Sequence, residues 1–147
     1  MTVATVVERE GRFLMVEETT RGKLVFNQPA GHLEPNETLV QAALRETLEE
    51  TGWTVELEHL LGAYQWSAPS VEDGGTGRQY LRFAFVARPV SHDPLRELDK
   101  GIEQALWLSR SEIESQLEKL RSPLVLRALN DYWNGARHPL HVLGHEV

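Results

Sequence analysis

The sequence predicts an α/β protein, an α/β/α sandwich around a mixed β-sheet, and three observations predict it. Short runs rich in β-branched and aromatic residues recur over roughly the first ninety positions. One amphipathic helical segment interrupts them early, and two more helical patterns come late. Strands first, one helix among them and helices last fit a layered sheet better than regular βαβ alternation.

Thr2–Val7 and Phe13–Val16 are apolar runs separated by Glu8–Arg12, which holds a turn glycine, and so read as a hairpin. A short strand at Lys23–Phe26 leads into Asn27-Gln28-Pro29-Ala30-Gly31, a loop of structure breakers. Glu37–Thr51 has helix formers with no internal Gly or Pro, Asn36 as the expected N-cap and Gly52 as the stop. Leu39, Ala42, Ala43, Leu44 and Leu48 give it an apolar stripe. Thr54–Tyr64 and Arg78–Val90 read as strands, joined by Ser67–Gly77 with its Gly74-Gly75-Thr76-Gly77 turn. That glycine run lacks the Gly-Lys-Ser/Thr ending of a phosphate-binding P-loop. A strand at Glu103–Leu108 follows, then a helix capped by Ser109 or Ser111 and running to about Leu120, then a helix at Leu124–Trp133. With no repeat, low-complexity tract or linker, residues 1–147 are expected to form one domain.

Bulk chemistry narrows the function. There is no cysteine, which removes disulfides, thiolate metal sites and cysteine nucleophiles. The net charge of −7 and the absence of a basic run argue against a nucleic-acid polymer as ligand. A small polyphosphate bridged by divalent cations remains compatible, because carboxylates then attract the metal. No signal peptide or membrane span is visible, so a cytoplasmic enzyme, monomer or homodimer, is the expectation. His138, His141 and His145 have no cysteine to complete a zinc site and are expected to be exposed. No Gly-x-Ser-x-Gly elbow is present for a serine hydrolase.

The informative segment is GHLEPNETLVQAALRETLEETGW, Gly31 to Trp53. Glu46, Glu49 and Glu50 stand at i, i+3 and i+4 and share one helix face. Like charges there cost a few tenths of a kcal/mol per pair. A divalent cation turns the repulsion into attraction, and Mg²⁺ favours hard oxygen ligands of this kind. Seven residues of the segment, Gly31, Glu37, Arg45, Glu46, Glu49, Glu50 and Gly52, fall into a fixed spacing. At roughly 6–7% usage each, that spacing arises by chance about once in 10⁸ starts.

This spacing resembles the Nudix box, with one departure, Thr47 at a position the family usually fills with an aliphatic residue. Further stretches are similar to a branch of bacterial phosphatases within that family: Val16-Glu17-Glu18-Thr19, Asn27 to Glu34, Gln65-Trp66, Leu81-Arg82-Phe83 and Arg121 to Val125. The resemblance implies the Nudix fold and Mg²⁺, replaceable by Mn²⁺, held by Glu46, Glu49 and Glu50 with the Gly31 carbonyl. Arg45 would orient the glutamates and Glu37 support the loop–helix junction. An acid outside the box often joins such sites, and Glu103 is the first candidate here, Asp99 the second. Glu46 is the preferred proton acceptor, while Trp66, Arg82 and Arg121 are candidate substrate contacts.

The implied activity is hydrolysis of phosphoanhydrides in nucleoside tri- and diphosphates and in thiamine-pathway pyrophosphates, namely hydroxymethylpyrimidine pyrophosphate and thiamine pyrophosphate, with release of orthophosphate. Pro69, sixteen residues after Trp53, keeps an ADP-ribose (ADP-sugar) pyrophosphatase as the alternative. A silent nucleotide-sensing module is disfavoured by the complete set of box carboxylates. A Nudix isopentenyl diphosphate isomerase is disfavoured by the lack of cysteine.

Overall fold

The computed structural model describes residues 1–69 and 77–146. Seven strands form a mixed sheet assembly: β1 (Thr2–Arg9), β2 (Arg12–Thr20), β3 (Lys23–Asn27), β4 (Ala30–His32), β5 (Trp53–Ser67), β6 (Gln79–His92) and β7 (Ile102–Ser109). β1 is the hinge of the arrangement. Its first part runs parallel to β6 and antiparallel to β4, while its end pairs antiparallel with β2. β2 in turn lies between β3 and β7, and β5 pairs with β6. The β1–β2 hairpin turns through Glu10 and Gly11, both at positive φ, as a two-residue turn matched to strand twist requires.

Helices cover both faces, as the sandwich requires. On one side α1 (Leu39–Thr51) sets Ala42 and Ala43 against Val3, Leu60 and Phe85. On the other α3 (Pro123–Trp133) sets Leu124, Val125, Ala128 and Leu129 against Val6, Leu61, Ala84 and Val86. β1 is therefore buried on both faces, which is why it reads as a nearly continuous apolar run.

Several boundaries differ from expectation for identifiable reasons. Asn36 does not cap α1. It occupies a left-handed turn position (φ 63°), with the Glu37 amide donating to the Glu34 carbonyl. Thr38 is the N-cap, in a reciprocal capping box with Gln41 at 3.0 and 2.9 Å. Ala30–His32 is not free loop but a short strand on β1, a pairing set by residues distant in sequence. The helix expected from Ser109 to Leu120 is one short turn, α2 (Arg110–Glu114), capped by Ser109, followed by a single 3₁₀ turn at Leu117–Lys119. Most of the glycine run, residues 74–76, lies outside the described residues.

Loss of the capping box should be measurable. Thr38→Ala removes the hydroxyl acceptor and should destabilise the protein by about 1 kcal/mol, lowering Tm by roughly 2–4 °C in a thermal melt. Thr38→Ser should retain most of the stability.

Candidate active site

Two tethers bring α1 and the Ala30–Gly31 strand together. The Thr5 amide donates to the Pro29 carbonyl at 3.1 Å, and the Thr5 hydroxyl meets the Thr47 hydroxyl at 2.8 Å in the core. Thr47 thus does more at this helix position than fill space with its methyl. Its hydroxyl also lies 2.8 Å from the Ala43 carbonyl. Gly31 faces Glu46 so closely that a Cβ there would lie 2.1 Å from the Glu46 carboxyl carbon. Only glycine leaves room for that carboxylate.

Arg45 organises the acids. Its Nε and Nη2 grip both oxygens of Glu37 at 2.6 and 2.9 Å, and its Nη1 reaches Glu46 at 2.8 Å and Glu49 at 2.7 Å. Nη2 also donates to the His32 carbonyl at 3.0 Å. Hydrogen bonding to Arg45 holds the Glu37 carboxyl below the ordinary carboxylate range. The geometry gives Arg45 an orienting place and Glu37 a bracing one, since Glu37 also accepts from the Glu34 amide.

The three box glutamates do not converge on one point. Glu46 and Glu49 gather with Asp99, their ligand oxygens all within 4.8 Å of one another. Glu50 turns inward, is buried and accepts from the Ala30 amide at 3.0 Å. Asp99, expected second, is the acid that the structure brings to this group, because its amide donates to the Glu49 carbonyl at 3.1 Å. Glu103 is exposed on β7 and accepts from the Thr19 hydroxyl at 2.9 Å, outside the group. Three carboxylates with clustered oxygens form a hard donor set suited to a divalent ion. Burial pushes the Glu46 carboxyl up and the Glu50 carboxyl up to about 8.

A cavity of about 930 Å³ opens beside this cluster, with Glu46 and Glu50 on its wall. Trp66 lines it, stacked on Tyr80 with ring centroids 5.4 Å apart, and also packs against the core. Arg82 and Arg121 line it too. Arg82 is buried, and burial followed by repulsion from Arg121 lowers its pKa to about 10. Its Nη1 lies 3.5 Å from Asn27 Oδ1 and 3.4 Å from Gln28 Oε1, while its Nε has no partner among the described residues. Arg121 is exposed and pairs with Glu18 at 2.9 Å. Sequence reasoning gave no role to Glu18, Asn27, Gln28 or Tyr80, although the first three lie in the stretches similar to bacterial phosphatases. His138, His141 and His145 are exposed, as expected.

Comparison with known proteins bears on this geometry. The NUDIX domain family matches residues 1–128. The phosphatase NudJ of Escherichia coli K12 is 44% identical over 144 residues, covering 98% of this chain and 90% of that protein. The Shigella flexneri phosphatase NudJ matches to the same extent. A solved NUDIX hydrolase from Nitrosomonas europaea superposes with a TM-score of 0.92 at 45% identity, covering 99% of this chain and 95% of that one.

The raised Glu50 carboxyl has a pH consequence. An acid whose folded pKa exceeds its unfolded one contributes stability below the unfolded value, and loses it as pH rises through the folded value. Metal-free protein should therefore lose stability, by a few kcal/mol at most, between pH about 4.5 and about 8. Thermal melts in chelator across that window should show the fall, and Glu50→Gln should flatten it. An unchanged slope in Glu50→Gln would show that Glu50 is not its source.

Proposed function

This chain belongs to the Nudix hydrolase family, and from that premise we propose that it hydrolyses terminal phosphoanhydrides of small molecules with Mg²⁺, releasing orthophosphate. The proposed substrates are nucleoside tri- and diphosphates together with hydroxymethylpyrimidine pyrophosphate and thiamine pyrophosphate, and the proposed setting is the cytoplasm. The whole chain acts as one domain, since the segment after the family match still packs on it: Leu129 lies in the core, and His138 bridges to Leu60. Among the described residues no helix is long and apolar enough to cross a membrane.

The observation that carries the reading is the double membership of Glu46. Its carboxylate belongs both to the clustered oxygens with Glu49 and Asp99 and to the wall of a cavity that also carries Arg21, Lys23, Arg82 and Arg121. A phosphate in that cavity lies between acids that hold a divalent ion and arginines that attract its negative oxygens. Glu46, Glu49 and Asp99, with the Gly31 carbonyl, are the groups that would hold the ion, and Glu50 would join them only by turning from the Ala30 amide. The ion supplies charge neutralisation at the phosphate and acidification of the attacking water. Glu46, on the wall of the cavity, would be the group within reach to accept a proton from the attacking water. Arg82 and Arg121 bind phosphate oxygens, while Trp66, backed by Tyr80, offers a flat surface to an aromatic ring. The phosphatase names of the relatives support orthophosphate as product.

Two measurements test this. Glu49→Gln should keep the wild-type fold by circular dichroism while turnover with Mg²⁺ falls by about two orders of magnitude or more; unchanged turnover removes Glu49 from the site. Product analysis should find orthophosphate from nucleoside tri- and diphosphates and from thiamine pyrophosphate, and no orthophosphate from ADP-ribose, whose two phosphates are both internal. Pyrophosphate as the only inorganic product overturns the proposed cleavage position and leaves family membership intact. ADP-ribose as the sole substrate favours the sugar-nucleotide alternative.

A further inference from the structure

Arg82 and Arg121 are connected through residues that the proposed chemistry does not use. Glu18 Oε1 accepts from Arg121 Nη1 at 2.9 Å and from Asn27 Nδ2 at 3.3 Å. With its nitrogen committed to Glu18, the Asn27 amide presents its oxygen to Arg82. Gln28 does the same from the other side: its Nε2 donates to the Val125 carbonyl at 2.9 Å, leaving Oε1 toward Arg82. Arg82 is thereby held by two neutral oxygens and, among the described residues, forms no ion pair. Amide oxygens orient a guanidinium without supplying a counter-charge, and Glu18 and Glu50 act on it only across space, so a buried cation with no contacting anion favours the arrival of one. Arg121, by contrast, is already matched by a carboxylate that lines the same cavity.

We propose that Glu18 is a positioning residue that holds Arg121, and through Asn27 orients Arg82, until the distal phosphate of the substrate takes its place on Arg121. This rests on the reading of both arginines as phosphate contacts and adds the residue that regulates them. Glu18 has two opposed effects on an incoming phosphate. As a hydrogen-bond acceptor it keeps the arginines in place, which favours binding; as an anion it competes for Arg121, which opposes binding. The competition discriminates among ligands, because only an anion able to engage both guanidinium groups offsets the broken Glu18–Arg121 pair.

Amide and alanine substitutions separate the two effects. The probe is inorganic phosphate, titrated calorimetrically into metal-free protein in chelator. Glu18→Gln keeps an acceptor oxygen and removes the charge, and should tighten phosphate binding about fivefold, the scale of one partly exposed ion pair. Glu18→Ala removes both and should weaken it by a similar factor. In an Arg121→Met background the effect of Glu18→Gln should vanish, as a double-mutant cycle requires of coupled groups. Equal tightening in Glu18→Ala and Glu18→Gln overturns the positioning role. No tightening in Glu18→Gln, or tightening that persists with Arg121→Met, overturns the displacement. Arg121→Met alone should weaken phosphate binding, and wild-type affinity in it overturns the proposal even where a Glu18 variant does not fold. Failure of the hydrolytic reading is distinguishable: it appears as absent turnover in the wild-type protein with Mg²⁺, whatever metal-free phosphate binding shows.

Discussion

One guanidinium keeps three carboxylates of this site in place. Glu37, Glu46 and Glu49 all meet Arg45, in an arrangement that would otherwise be set by mutual repulsion. The pairing is local, since Arg45 and its partners lie on α1 or just before it, so the cluster is assembled as soon as the helix forms. Its orientation in the molecule is not local. That comes from the Thr5–Thr47 and Thr5–Pro29 contacts, which fix α1 and the Gly31 strand to the same buried strand. A charged cluster on a helix is ordinarily mobile and solvated. Here it is half-buried and held at both ends, which gives a divalent cation a prepared set of oxygens.

The site has two electrostatic halves. Glu46, Glu49 and Asp99 form the acidic one, and Arg82 and Arg121, with Arg21 and Lys23 on the same cavity wall, the basic one; Glu18 and Glu50 line that cavity too. A polyphosphate with its cation is complementary to both halves at once, whereas either component alone meets repulsion from one of them. This suits an acidic protein that binds an acidic substrate, and it explains how an overall charge of −7 is compatible with the chemistry.

The helix of the box, its glutamate face and most strands were legible in the sequence, because each depends on spacing within a single element. Glu46, Glu49 and Glu50 share a face by periodicity alone, and the apolar run Thr2–Val7 marked β1 as a strand. What escaped depended on contacts between elements. The preference for Glu103 over Asp99 reversed because a backbone hydrogen bond from Asp99 to the end of α1 has no counterpart in local pattern. Glu18 and Arg121 lie 103 residues apart, and no spacing rule connects them. The divergence of Glu50 from Glu46 and Glu49 follows from the Ala30 amide, itself placed by β4 pairing on β1. The cap of α1 was misplaced because Asn36 suits both a cap and a left-handed turn, and Glu34 decided between them.

The dual attachment of Thr5 has a geometric consequence for how thermal motion reaches the chemistry. Its amide anchors the backbone leading to Gly31, and its hydroxyl anchors the helix bearing Glu46. A breathing displacement of β1 therefore carries both parts along in common mode, and their separation changes far less than either position does. Two walls indexed to one post keep their spacing when the post sways, and the tight clearance between glycine and glutamate survives fluctuations of the sheet beneath it.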